Sequence, residues 1–303
     1  LEAEFEKLGD DLQAWTVAVP GDHLVLGRAL SATEVAQQQA LRLEFSNQLK
    51  ICWRRLSERD SEDTDLLVPG HMLSASLSIM GELPALTADF SHVTYLSLHS
   101  NGLLLEVDRF LALFPNLDNL YLHNLQLDVV PSAVSRLGNL VALDIVHCSL
   151  RLTPQTAGWL AELEQLEYLD LSHNRLGQTL DVSKMSALIE LSLQNTGTTE
   201  IPKGLLTIEG LQKADLSNNN ISEIPDDLFE IPAQISENFD LRRNPLSEQS
   251  LTRLKHYYRQ TGVQLNVNLS NPMEINLGTE QFPNYGDPTA GVIVDPVVQP
   301  IEE

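Results

Sequence analysis

The sequence predicts an α/β solenoid: short stacked repeats that build a concave parallel β-sheet, closed by a helical cap at each end. Three observations predict it. The segment Leu166–Leu176, LEYLDLSHNRL, fits the pattern L-x-x-L-x-L-x-x-N-x-L. Variants recur at Val93–Leu103, Leu117–Leu127, Leu140–Leu150, Leu188–Thr198, Leu211–Ile221 and Ser236–Leu246. Such copies, at a period of roughly 22 to 26 residues, leave little room for another fold. Helix-period apolar patterns flank the array on both sides. Finally, the chain is 43% hydrophobic, enough for a continuous core, yet no apolar run approaches the ~18 residues of a membrane span.

The recurring segment is the consensus of a leucine-rich repeat, so the expected fold is a leucine-rich-repeat solenoid. In chain order, residues 1–66 read as a helical lead-in and cap. Leu1, Phe5, Leu8, Leu12 and Trp15 form one helical stripe, which Pro20 and Gly21 end. Ser31-Ala-Thr-Glu34 has the spacing of a capping box. It opens a second helix with Val35, Leu41, Phe45, Leu49, Cys52, Trp53 and Leu56 on one face. Such a pair would cover the open apolar end of the first repeat. Ser57–Asp65 reads as an acidic, exposed link.

The repeats occupy 67–246, led by a degenerate strand over His71–Ile79. In each, the leucines at positions four and six point inward and the residues between them outward. Position nine turns the chain, and an asparagine there hydrogen-bonds along the stack. Asn101, Asn174, Asn219 and Asn244 fill it, while Cys148 and Thr196 are small enough to replace it; Leu125 breaks the ladder. The return segments carry Val130-Pro131, Ile201-Pro202 and Ile224-Pro225, where proline removes a donor that has no sheet partner. Only the concave side is therefore expected to build a sheet, with short helical or 3₁₀ turns opposite. Residues 247–268 form the C-terminal cap: Ser247 starts a helix, Leu251, Leu254, Tyr257 and Tyr258 face inward, and Gly262 stops it. From Leu269 to Glu303 there is no Lys or Arg and prolines recur, which reads as an extended or disordered acidic tail.

The balance of 42 acidic against 19 basic residues gives a formal charge of −23. That charge disfavours nucleic acid and membranes and favours a basic protein partner. Two cysteines in separate parts of the chain make no disulfide framework, so a reducing compartment is expected. The chain opens at Leu1 without a signal-peptide pattern, which reads as a fragment or processed product.

Candidate binding residues follow from strand periodicity. Position five holds Ser97, Tyr121, Asp144, Asp170, Ser192, Asp215 and Asp240. Position seven holds His99, His123, Val146, Ser172, Gln194, Ser217 and Arg242. Position eight holds Ser100, Asn124, His147, His173, Asn195, Asn218 and Arg243. The predicted concave-face site is His99, Tyr121, His123, Asp144, His147, Asp170, His173, Asp215, Asp240 and Arg242. Its acidic column and aromatic anchor suit a protein partner, and histidine beside aspartate suits a pH-sensitive contact. Imidazoles on adjacent strands can approach ligand distance, but an open sheet seldom closes a tetrahedron, so no metal or cofactor is expected. No nucleophile constellation, P-loop, G-x-G-x-x-G or H-E-x-x-H is present. Cys52 lies on an apolar helix stripe and Cys148 in the repeat core.

The phrase FDLRRNPLSEQSLTRLKHYYRQTG, Phe239–Gly262, resembles bacterial effectors of the NEL type, in which leucine-rich repeats precede a novel E3 ubiquitin-ligase domain. ICWRRL, Ile51–Leu56, is similar to the lead-in of their Pseudomonas-like members. The resemblance covers residues 1–262. It implies a bacterial protein secreted into a host cytoplasm, with this chain as the target-binding half; the sequence leaves the oligomeric state open, with a monomer favoured. The family's catalytic cysteine lies in a separate helical domain, and no cysteine follows Gly262 here, so this chain is expected not to be an enzyme. Two alternatives from other classes are an autoinhibitory domain of a larger enzyme and a stand-alone structural or adhesion repeat protein.

Overall fold

The computed structural model describes residues 2–56 and 71–269. The predicted acidic link and most of the predicted tail lie outside them. In chain order the elements are α1 (Glu2–Val17), α2 (Ala32–Trp53), β1 (His71–Leu77), β2 (Gly81–Glu82), β3 (Val93–Ser100), β4 (Leu104–Leu105), α3 (Val107–Leu111), β5 (Asn119–His123), β6 (Ala142–Val146), α4 (Pro154–Ala161), β7 (Tyr168–Asp170), β8 (Glu190–Ser192), β9 (Lys213–Asp215), α5 (Ala233–Ser236), β10 (Phe239–Asp240) and α6 (Glu248–Thr261). Eight strands form one parallel sheet in the order β1-β3-β5-β6-β7-β8-β9-β10. Position five of each repeat pairs with position five of the next, as in Tyr121 with Asp144 and Asp144 with Asp170.

Leucine placement explains the stacking. Leu96, Leu120, Leu143, Leu169 and Leu191 fill the fourth position and are buried to 2% exposure or less. Each inward side chain contributes roughly 1.5–3 kcal/mol by leaving water, but a repeat's few cannot offset the entropy of ordering its backbone. The stack is therefore the unit of stability.

Asparagines tie the turns together. Asn174 Oδ1 accepts from the Cys148 and Leu150 N–H groups at 3.0 Å, and its Nδ2 donates to the Ile145 and Leu171 carbonyls. Asn219 does the same for Thr196 and Thr198. Asn244 continues the ladder. Cys148 takes an asparagine's place, with its thiol against the Leu122 and Val146 carbonyls. Asn101 does not join and is exposed. Strand β3 runs one residue further, so Ser100, 1% exposed, turns inward and bonds Gly102 instead. Leu125 is a buried apolar plug in the same row.

The convex side carries 3₁₀ turns at Ser132–Arg136, Leu205–Thr207 and Asp226–Phe229. A sheet confined to the concave side is corrected in one place, because β2 and β4 pair on the other flank. Both capping helices form, with a changed inner face. The Ser31–Glu34 capping box is formed. Helix α2 presents Gln38, Arg42, Phe45, Ser46, Leu49 and Cys52 inward, while Leu56 lies beyond its end and is 65% exposed. The helix turns polar groups inward because the edge it covers offers unpaired backbone. Gln38 donates to Ser78 O and accepts from Met80 N. In α6, Ser250, Leu254 and Tyr257 are buried and Tyr258 is exposed. Ser250 Oγ accepts from Ile224 N at 3.0 Å, and the chain beyond α6 adds a bond from Leu241 N to Leu265 O.

Candidate functional site

Strand length decides how wide the concave face is. Strands β3 and β5 run through position seven, so His99 and His123 stand on the face, paired in register. In β7, β9 and β10 the strand stops at the aspartate of position five. Each of these aspartates accepts the N–H two residues on: Asp170 from Ser172 at 2.7 Å, Asp215 from Ser217 at 3.0 Å and Asp240 from Arg242 at 3.0 Å. The chain then turns in, and Ser172 and Ser217 are buried. Position seven is thus turned inward at Ser172 and Ser217, while His99, His123 and Arg242 keep it open to solvent.

Position eight, not nine, makes the turn. Asn124, His147, His173, Asn195, Asn218 and Arg243 all have φ between 54° and 59°, the left-handed region that asparagine and histidine tolerate better than most. His147 and His173 therefore sit on the rim, their rings stacked with centroids 4.1 Å apart and planes 8° from parallel. Parallel rings cannot aim their nitrogens at one ion, and among the described residues no three His, Cys, Asp or Glu side chains are grouped to hold a metal.

The predicted acidic column divides. Asp240 is 9% exposed and its second oxygen is 2.7 Å from Arg242 Nη2, so both side chains satisfy each other. Asp215 spends one oxygen on its own turn. Asp144 differs, because β6 continues past it to Val146. Its neighbours include Asp170, Tyr121 and His123, whose Nε2 lies 4.0 Å from Asp144 Oδ2. Burial and the Asp170 carboxylate push Asp144 up to about 7. Burial and neighbouring His99 lower His123, and its Nε2 has no hydrogen-bond partner among the described residues. At neutral pH the contact is between an uncharged imidazole and a partly protonated carboxyl, not an ion pair.

Asp144 and Asp170 open onto a hollow of about 190 Å³ lined also by Tyr121, Tyr168, Glu190, Ser192 and Lys213. Tyr121 packs against Tyr95 with ring centroids 5.2 Å apart. Burial pushes its hydroxyl up to about 12, so it stays a neutral phenol. Of the predicted residues, Tyr121, Asp144 and Asp170 meet here and His123 adjoins. His99, His147 and His173 lie to one side, and Asp215, Asp240 and Arg242 lie further along the stack. Tyr168, Glu190 and Lys213 were not predicted. They occupy position three, which strand alternation also turns outward.

Comparison with known proteins agrees with this geometry. A leucine-rich-repeat family model matches residues 165–184 and 210–231. The chain is a leucine-rich-repeat solenoid. Bovine osteomodulin is 25% identical over 232 residues, spanning 67% of this chain and 54% of its own length. Tubulin-specific chaperone E of Danio rerio is 28% identical over 216 residues, 67% of this chain and 36% of its own. The solenoid thus spans about half or less of these relatives. Among solved structures, internalin C2 of Listeria monocytogenes aligns with a TM-score of 0.44 at 18% identity, over 64% of this chain and 78% of its own. No helix of the described residues is long and apolar enough to cross a membrane.

The raised Asp144 carboxyl has a stability consequence. Its folded-state value lies above that of an unfolded aspartate, so the native state binds the extra proton. That contribution is complete below the ordinary aspartate value of 3.8 and is lost progressively as pH rises from there through about 7. Asp144→Asn is expected to stabilise the solenoid at pH 8 by on the order of 1 kcal/mol, discounted for partial exposure, or about 2–4 °C in Tm. At pH 5 the gain should be smaller, and it should vanish below the ordinary aspartate value of 3.8. An equal gain at both pH values would show that titration of Asp144 is not the cause.

Proposed function

We propose that the solenoid recognises another protein with its concave face, centred on the hollow between β5 and β9. The observation that carries this reading is the half-buried, pre-formed group of Tyr121, Asp144, Tyr168 and Glu190 around the hollow. Asp170, Asp215 and Asp240, in contrast, are engaged in their own turns. Rigid repeats present such a surface without reorganisation, which lowers the cost of binding. Catalysis would need a reactive group, and both cysteines are buried, with thiols that burial pushes up to about 12.

Affinity capture from cell lysate tests it, comparing the chain with a variant carrying Tyr121→Ala, Asp144→Lys and Glu190→Lys. Asp170 is left in place because it holds the β7 turn. Capture should fall at least about tenfold, equivalent to ~1.4 kcal/mol, with unchanged circular dichroism. Undiminished capture overturns the assignment.

The finer role, target recognition in a bacterial effector of NEL type that acts in a host cytoplasm, rests on the Phe239–Gly262 phrase. In that role the captured protein is a ubiquitination substrate. The full-length protein should then transfer ubiquitin to it, and failure to do so removes this role while leaving recognition intact.

A further inference from the structure

The hollow has a composition more specific than an acidic surface. Its floor is strands β7 and β8 at Leu169 and Leu191. Three carboxyl groups come from three successive strands: Asp144 on β6, Asp170 on β7 and Glu190 on β8. Two tyrosines contribute to the walls. Lys213 brings the cation on its border and lies 3.6 Å from Glu190, while Asp144 has the neutral His123 Nε2 4.0 Å away.

Building on the concave-face reading, we propose that this hollow is a subsite for the guanidinium of an arginine side chain on the partner protein. A guanidinium presents five donors in a fixed planar fork, stacks on aromatic faces and sheds its hydration more easily than an ammonium. Carboxylates on adjacent strands stand ~4.8 Å apart, so one fork can reach two of them while its face lies against tyrosine. Ring faces attract a partly desolvated cation. A ligand carboxylate would instead meet the three acidic groups already present.

The same geometry gives the site a pH dependence. The groups facing Asp144 are Tyr121 and His123 from β5, and Tyr168 and Asp170 from β7. The guanidinium keeps its charge throughout the working range. A bound cation favours the ionised form of Asp144 and displaces its proton, so affinity rises as pH passes through about 7. Protonation of His123 at low pH would place a positive charge beside the site and act in the same direction.

The test uses the chain with labelled tyrosine rings in an NMR titration. The probes are N-acetyl-arginine methylamide, its neutral isostere N-acetyl-citrulline methylamide, and N-acetyl-lysine methylamide. The arginine probe should move the Tyr121 and Tyr168 resonances saturably, and the citrulline probe should bind at least about tenfold more weakly. The lysine probe should fall between them. Asp144→Asn should weaken arginine binding about tenfold, and wild-type affinity should be higher at pH 8 than at pH 6. The proposal is overturned if citrulline matches arginine, if the arginine shifts survive an Asp144→Asn, Glu190→Gln double variant, or if neither ring moves. Should the probe fail while the Tyr121→Ala, Asp144→Lys, Glu190→Lys variant still loses its captured protein, the arginine subsite falls and the recognition face stands. Should capture also survive that variant, both readings fall.

Discussion

Replacing Arg42 with leucine is expected to detach the N-terminal cap, at a cost of about 3–5 kcal/mol, the scale for a buried charged hydrogen-bond network broken from one side. Arg42 is 1% exposed. Its Nη1 donates to the Trp15 and Ala18 carbonyls at 2.8 and 2.9 Å, and its Nη2 donates to Met80 O at 2.9 Å. The guanidinium also lies over the Trp15 ring, 4.8 Å from its centroid. One side chain on α2 thus ties the end of α1 to the segment following β1. Leucine would fill part of the volume and leave three carbonyls without their donor, which costs more than losing the bonds themselves. Because each solenoid unit contacts mainly its neighbours, the damage should be local. Hydrogen exchange is expected to show lost protection in α1, α2 and β1, with β7 to β9 unchanged. Uniform loss along the stack, or none, would refute this division of labour.

A second large effect is expected at Gly204. This residue has φ 83° and opens the 3₁₀ turn Leu205–Thr207. A Cβ there would lie 2.4 Å from Ser183 Cα and 2.5 Å from Ser183 Oγ. Gly204→Ala therefore combines left-handed backbone strain of about 1 kcal/mol with a backbone clash between adjacent repeats, for a total of roughly 2–4 kcal/mol. Gly138→Ala is the control, since a Cβ there meets nothing within 4 Å. Urea denaturation should show the midpoint falling for Gly204→Ala and holding for Gly138→Ala. Comparable midpoints would mean that the repeat separates easily at this point.

The readable parts of the chain were those governed by strict periodicity. Leu169 and Leu171, Leu191 and Leu193 announce inward strand positions because burial repeats with the pleat, and Asn174 and Asn219 announce the ladder because their spacing to the leucines is fixed. The capping signals at Ser31 and Ser247 are equally local. Two kinds of residue were harder. Gln38 and Arg42 lie within an apparently apolar stripe, and their burial makes sense only beside the carbonyls of Ser78 and Met80. Ser100 displaced Asn101 because β3 extends one residue further, which no motif position reveals.

By itself the sequence determined that this chain stacks leucine-rich repeats, and where the strands of the concave sheet and their inward leucines lie. All of these follow from local chemistry repeated at a fixed interval. Tertiary structure decided which outward residues form a site. Strand length separates an aspartate that closes its own turn, such as Asp170, from Asp144, whose strand continues. It also sends position eight to the rim and brings Tyr168 and Glu190, from position three, beside Tyr121. A column of aspartates looks uniform in one dimension. Their differing burial, hydrogen bonds and neighbours make one of them titrate near neutrality, because the free energy of a charge depends on the solvent and partners that the fold leaves around it.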